Sequence, residues 1–203
     1  EERLRQAQLV DPHNPKIDTL QWKLDSAEGK YAKMDSSFER SLALNQKFAP
    51  QIREFRQHYW ATEYNQGVRL ATRVKPQEAD IKVKKTEEGA HISVQSVPDP
   101  DFPGALPYFR RATIIDPNRL ESWRNIAFVY YQLDSLDATV SAYQHILAIA
   151  PSDTSSLYSS GVLYLKQRRY QETINALSNL LKLKPGHVDA LLNLALAQLG
   201  LGD

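Results

Sequence analysis

The sequence contains no cysteine, which excludes disulfides, thiolate zinc sites and cysteine nucleophiles. Glycine is scarce, with eight residues in 203, so a glycine-rich nucleotide cradle is hard to build. Neither a G-x-x-x-x-G-K-[ST] phosphate loop nor a G-x-S-x-G nucleophile elbow occurs. The five histidines, His13, His58, His91, His145 and His187, are scattered, and none pairs at a metal-ligand spacing such as H-E-x-x-H. The expectation is therefore a protein that is not an enzyme and has no catalytic residue, metal or cofactor. No apolar run approaches the roughly 20 residues that span a bilayer. Neither sign of charge dominates: the formal net charge is +1, so no overall field recruits nucleic acid or an anionic membrane. The one basic run (Arg69, Arg73, Lys75, Lys82, Lys84, Lys85) is interleaved with Glu78, Asp80, Glu87 and Glu88 and reads as a solvated loop. The start, Glu1 to Arg5, does not read as a signal peptide. Both ends look cut, which predicts a piece of a longer protein and leaves the compartment open between cytoplasm and periplasm.

A composition of 42% hydrophobic and 24% charged residues is that of a folded chain. Its organising feature is a step of 34 residues. Pro117, Pro151 and Pro185 keep it, as do Trp123, Leu157 and Leu191, and the small column Ala127, Gly161 and Ala195. Phe109, Tyr143 and Leu177 form another column, and Tyr130 and Tyr164 a further one. Within a step, Trp123, Ile126, Ala127 and Tyr130 fall at i, i+3, i+4 and i+7, which is one helix face. Asp134-Ser135 reads as a turn. A second helix follows around Val140, Tyr143 and Leu147 and stops at Ala150-Pro151, because proline cannot continue it.

A 34-residue helix–turn–helix with these columns resembles the tetratricopeptide repeat. The expected fold is therefore all-α: an α-solenoid of such repeats, which the resemblance implies to be a right-handed superhelix. The chain divides into a partial repeat 1–14, repeats 15–48, 49–119, 120–153 and 154–187, and a partial repeat 188–203. In repeat 15–48, Ile17, Leu20 and Leu24 suggest a first helix, Gly29 the turn, and Phe38, Ser41, Leu42 and Leu44 a second helix. In repeat 49–119 the first helix is long, with Ile52, Phe55, Tyr59, Tyr64, Gly67 and Leu70 expected inward. An insertion of about 74–102 separates it from its partner helix. The alternation in 81–84 and 91–94 around Thr86-Glu87-Glu88-Gly89 suggests a small β-hairpin, with a loop as the alternative. Thr139, Thr173 and Ser160 depart from the usual apolar or small residues.

The resemblance implies that the first helices line a concave groove that holds a protein or peptide partner. The groove positions are Tyr64 and Val68; Glu121, Arg124, Phe128, Tyr131 and Gln132; Ser155, Tyr158, Val162, Leu165 and Lys166; and Asp189, Leu192, Leu196 and Leu199. This set is more aromatic and aliphatic than charged, which suits an apolar or amphipathic peptide. A carboxylate clamp, as in chaperone adaptors, is not expected. Asn65 and Asn125 fall at suitable places, yet Ser155 and Ser159 stand where Lys and Arg are required. The function expected is a non-catalytic interaction scaffold. The alternatives are the targeting or regulatory arm of a larger enzyme, or an array that self-associates through the C-terminal half repeat.

Overall fold

The structure, a computed structural model, describes residues 15–72, 81–86, 89–94 and 99–202, with side chains described for 27–72 and 99–202. The expected partial repeat 1–14 lies outside the described residues, as do 73–80, 87–88 and 95–98 of the insertion. The helices are α1 (Pro15–Leu44), α2 (Ala49–Ala71), α3 (Phe102–Ile115), α4 (Leu120–Gln132), α5 (Leu136–Ile149), α6 (Thr154–Lys166), α7 (Tyr170–Leu183) and α8 (Val188–Gly202). A short 3-10 turn, Gln46–Phe48, joins α1 to α2. Between α2 and α3, β1 (Ile81–Thr86) and β2 (Gly89–Val94) pair antiparallel, with Ile81 opposite Val94 and Thr86 opposite Gly89.

From α2 onward each helix packs on the next, and α2 also touches α4 as α6 touches α8. Helical pairs form where the small-residue column lets them approach. A Cβ on Gly67 would lie 2.8 Å from the Phe109 ring, and one on Gly161 would lie 2.5 Å from Leu177 Cδ2. Ala127 occupies the equivalent place in α4 and is fully buried. The core runs through these contacts: Phe109, Ile126, Ala127 and Val129 form one cluster, and Leu157, Leu177, Leu180 and Ala190 another.

The turns inside the pairs share one closure. Asp134 and Arg168, 34 residues apart, both have positive φ, at 53° and 59°. Around Asp134, Ser135 N–H donates to Tyr130 C=O at 2.9 Å and Asp134 N–H to Tyr131 C=O at 3.1 Å. Around Arg168, Arg169 N–H donates to Tyr164 C=O at 2.8 Å and Arg168 N–H to Leu165 C=O at 2.9 Å. This double bond pattern satisfies the last helical carbonyls and requires a left-handed residue, a place where glycine is usual. The Arg169 guanidinium lies over the Tyr164 ring at 4.6 Å and covers the turn.

The three departures from the repeat pattern have a common solution. Thr139 donates to Ser135 C=O at 2.9 Å, Thr173 to Arg169 C=O at 3.0 Å and Ser160 to Ser156 C=O at 2.7 Å. Each hydroxyl is satisfied within its own helix, so it can sit in the core.

Two expectations need correction. α1 runs unbroken through Gly29, where a turn was expected. Good helix formers flank it (Ala27, Glu28, Lys30, Ala32), and a glycine in that setting weakens a helix by about 1 kcal/mol without ending it. Phe55 and Tyr59, expected inward, are 53% and 38% exposed. They lie against α1 through Phe38 and Tyr31 instead, while Trp60 and Ala71 take the buried positions.

Candidate partner-binding face

Positions 124, 128 and 131 of α4 recur as 158, 162 and 165 of α6 and as 192, 196 and 199 of α8. In each helix they follow i, i+4 and i+7, so each trio occupies one face. The trios differ in cover. Phe128 and Tyr131 are 43% and 53% exposed, and Leu192, Leu196 and Leu199 are 61%, 47% and 69% exposed. Tyr158, Val162 and Leu165 are half-buried. Neighbouring positions on α4 (Ile126, Ala127, Val129) are buried, so its outward aromatics are not loosely packed core.

The α2 residues behave differently. Tyr64 is half-buried: it stacks on Trp60 at 4.6 Å, meets Phe109 edge-on, and its hydroxyl accepts from Asn125 Nδ2 at 3.0 Å. Val68 packs on the Phe109 cluster. Sequence reasoning placed both in the groove, and most of their surface is instead used in joining α2 to α3 and α4. Asn125 is accounted for in the same way, since it also donates to Glu121 C=O at 3.0 Å.

Among the polar members, Glu121, Gln132, Ser155, Lys166 and Asp189 are exposed. Arg124 reaches across to Asp153 at 2.6 Å. That carboxylate also accepts from Ser156 N–H at 2.8 Å and so caps α6. Burial works against its charge, but the bonds from Ser156 and Arg124 win and hold its pKa below the usual range. Phe128 meets Phe102 edge-on at 5.7 Å, and Tyr158 leans on His187 at 4.9 Å. The face is thus an aromatic and aliphatic strip with one fixed ion pair crossing it.

A joint that sequence reasoning missed lies behind this face. Glu63 Oε2 accepts from Arg111 Nε at 2.7 Å and Glu63 Oε1 from the Tyr31 hydroxyl at 2.9 Å. Both charged side chains are close to nine-tenths buried. Burial, reinforced by the Glu63 carboxylate, pushes Tyr31 up to about 12. The arrangement ties α1 to α2 and α3. It performs no chemistry that the geometry reveals, because each group is consumed by its partners. Among the described residues no three His, Asp or Glu side chains gather to hold a metal, and no helix is long and apolar enough to cross a membrane.

A family model described as tetratricopeptide repeat matches residues 158–203. The chain is 28% identical over 75 residues to the photosystem I assembly protein Ycf3 of Prochlorococcus marinus (strain MIT 9215), which covers 36% of this chain and 43% of that one. It is 28% identical over 144 residues to the peroxisomal targeting signal receptor of Saccharomyces cerevisiae (strain ATCC 204508 / S288c), which covers 70% and 22%. The match therefore spans less than half the length of either relative. The crystal structure of MamA protein is similar with a TM-score of 0.51 at 15% identity, covering 86% of this chain and 84% of that chain. At that identity the likeness is one of fold. The family model thus assigns residues 158–203 to the tetratricopeptide repeat, and the 34-residue frame and the repeated inner turns carry the same helical-pair architecture back through α4 and α5.

Proposed function

We propose that the chain is a non-catalytic interaction scaffold that holds a peptide or helix of a partner protein along the face formed by α4, α6 and α8. In this reading the described helices belong to a right-handed solenoid with units 49–119, 120–153 and 154–187 and a half unit 188–203. The first helices then line its concave side. One observation carries the reading: large apolar side chains are exposed at recurring positions (Phe128, Tyr131, Leu192, Leu196, Leu199), while positions beside them on α4 are buried. Contiguous exposed apolar surface of this kind marks partner sites, and aromatic residues are their common anchors. What relatives do is compatible with this class of function. Ycf3 is an assembly protein and the yeast relative a targeting signal receptor.

The test is retention of a partner from the source organism's extract by the wild-type chain and by a Phe128→Glu/Tyr131→Glu/Leu196→Glu chain of equal helicity. A protein kept by the wild type alone supports the reading. Equal retention by both contradicts it.

A second reading has its own observation. Leu191 is 48% exposed, whereas its equivalent Leu157 is 5% exposed beneath α7. The corresponding face of α8 could seat another copy of the chain and so build an array. A mass that stays monomeric at millimolar concentration would remove this reading.

A further inference from the structure

Thr154, Ser155, Tyr158, Ser159, Lys184 and His187 line a cavity of about 290 Å³ where α6 meets the link into α8. Four other Ser and Thr hydroxyls of these helices are spent within the protein. Thr139, Ser141, Ser160 and Thr173 all donate to the carbonyl one turn earlier. The four hydroxyls of the cavity make no such bond and have no hydrogen-bond partner among the described residues, and neither does the Lys184 ammonium.

His187 is oriented. Its Nδ1 accepts from Ala190 N–H at 3.2 Å, which leaves Nε2 as the protonated nitrogen and therefore a donor. No carboxylate lines the cavity. The nearby Asp153 is engaged by Arg124 and Ser156, and Asp189 is exposed in the first turn of α8.

We propose that this cavity binds a phosphoryl group, either on a phosphorylated side chain of a docked peptide or as free phosphate. Six donors exceed what one carboxylate can use. They match the three terminal oxygens of a phosphate monoester, each able to accept more than one bond. The lysine offsets the charge and the hydroxyls supply the remaining directions. The peptide source rests on the scaffold reading above; the cavity's affinity for phosphate does not.

The experiment is a titration of the isotopically labelled chain with inorganic phosphate, followed by amide shifts. Two further arms use an Ala-Gly-phosphoserine-Gly-Ala peptide and its unphosphorylated form. Saturable shifts at Ser155, Ser159 and His187 are expected with phosphate and phosphopeptide, and none with the plain peptide. Tighter binding of the phosphopeptide assigns the source to a modified side chain, and tighter binding of phosphate assigns it to the free ion. His187→Asp keeps a capping acceptor for Ala190 but places a negative charge in the cavity, so it should weaken binding at least tenfold with helicity unchanged. Lys184→Gln should weaken it about tenfold, and Lys182→Gln, outside the cavity, should not change it. Absence of localised shifts, or equal shifts in His187→Asp, would overturn the proposal. Phosphate binding without capture of a partner would leave this site standing and count against the scaffold reading alone.

Discussion

The inner turn of a regular unit and that of the expanded unit end in the same hydrogen bond. Ser135 N–H meets Tyr130 C=O, Arg169 N–H meets Tyr164 C=O, and Asp101 N–H meets Leu70 C=O at 2.9 Å. Five residues separate the first two partners and 31 the third, so the expanded turn carries 26 more residues and closes alike. The frame of the helical pair is thus set by packing between its helices, not by the length of the link. In that frame Glu63 stands where Trp123 and Leu157 stand, and Arg111 where His145 and Asn179 stand. Trp123 stacks on His145 at 4.1 Å, while Glu63 and Arg111 pair as ions. One geometry accepts an ion pair, a stacked pair or a leucine, provided every polar group in it is satisfied.

The largest expected effect comes from removing one half of the ion pair. Glu63→Leu strands a buried guanidinium and should cost about 3–5 kcal/mol in urea unfolding. Glu63→Leu/Arg111→Leu should recover most of that loss, because the same place holds a leucine in α6; no recovery would mean that the pair itself is required. Gly67→Val tests the close approach. Its side chain meets the Phe109 ring, so a cost of about 1–3 kcal/mol is expected.

Removing 74–99 and writing Gly for Pro100 gives the expanded unit a regular turn. The shorter link should stabilise the chain by about 2 kcal/mol through loop-closure entropy, roughly three halvings of its length. Lower stability after removal would show that the inserted residues contribute packing. Arg168→Gly relieves a left-handed arginine and should add about 0.5–1 kcal/mol, read as a rise in melting temperature.

The smallest effect concerns pH. Tyr31 has a folded pKa of about 12 against an ordinary value of 10.0, so folding favours its protonated form. Its contribution is complete below pH 10 and is lost as pH rises from 10 through 12. Tyr31→Phe should flatten the stability profile in that window and, near neutral pH, lower it evenly by the lost hydrogen bond to Glu63.

The proline ruler and the columns beside it made α4 to α8 legible in the sequence, because each 34-residue step repeats the same packing demand. The expanded unit was harder. Its 26 extra residues put Glu63 60 residues before Trp123, off the step, so it could not be set against Trp123; Arg111 keeps the 34-residue step to His145 but, without its partner in register, looks like a surface charge. Gly29 misled for a related reason: a glycine marks a helix end only where φ turns positive, and the residues that do turn, Asp134 and Arg168, are not glycine. The trios on α4, α6 and α8 were readable from periodicity, but the cover on Tyr64 and Val68 depends on Trp60, Phe109 and Asn125 from three helices. The hydroxyl cavity left no signal beyond Ser155 and Ser159, which in sequence signify only a missing carboxylate clamp.

The α4, α6 and α8 face is the proposed seat of a partner. Its most direct test places a photo-crosslinking residue singly at Phe128, Tyr131 and Leu196, and at Ser141 and Asn175 on α5 and α7 as controls, in the presence of the captured partner. One shared crosslinked product is expected from the first three sites and none from the controls. Crosslinks confined to Ser141 and Asn175 would contradict it.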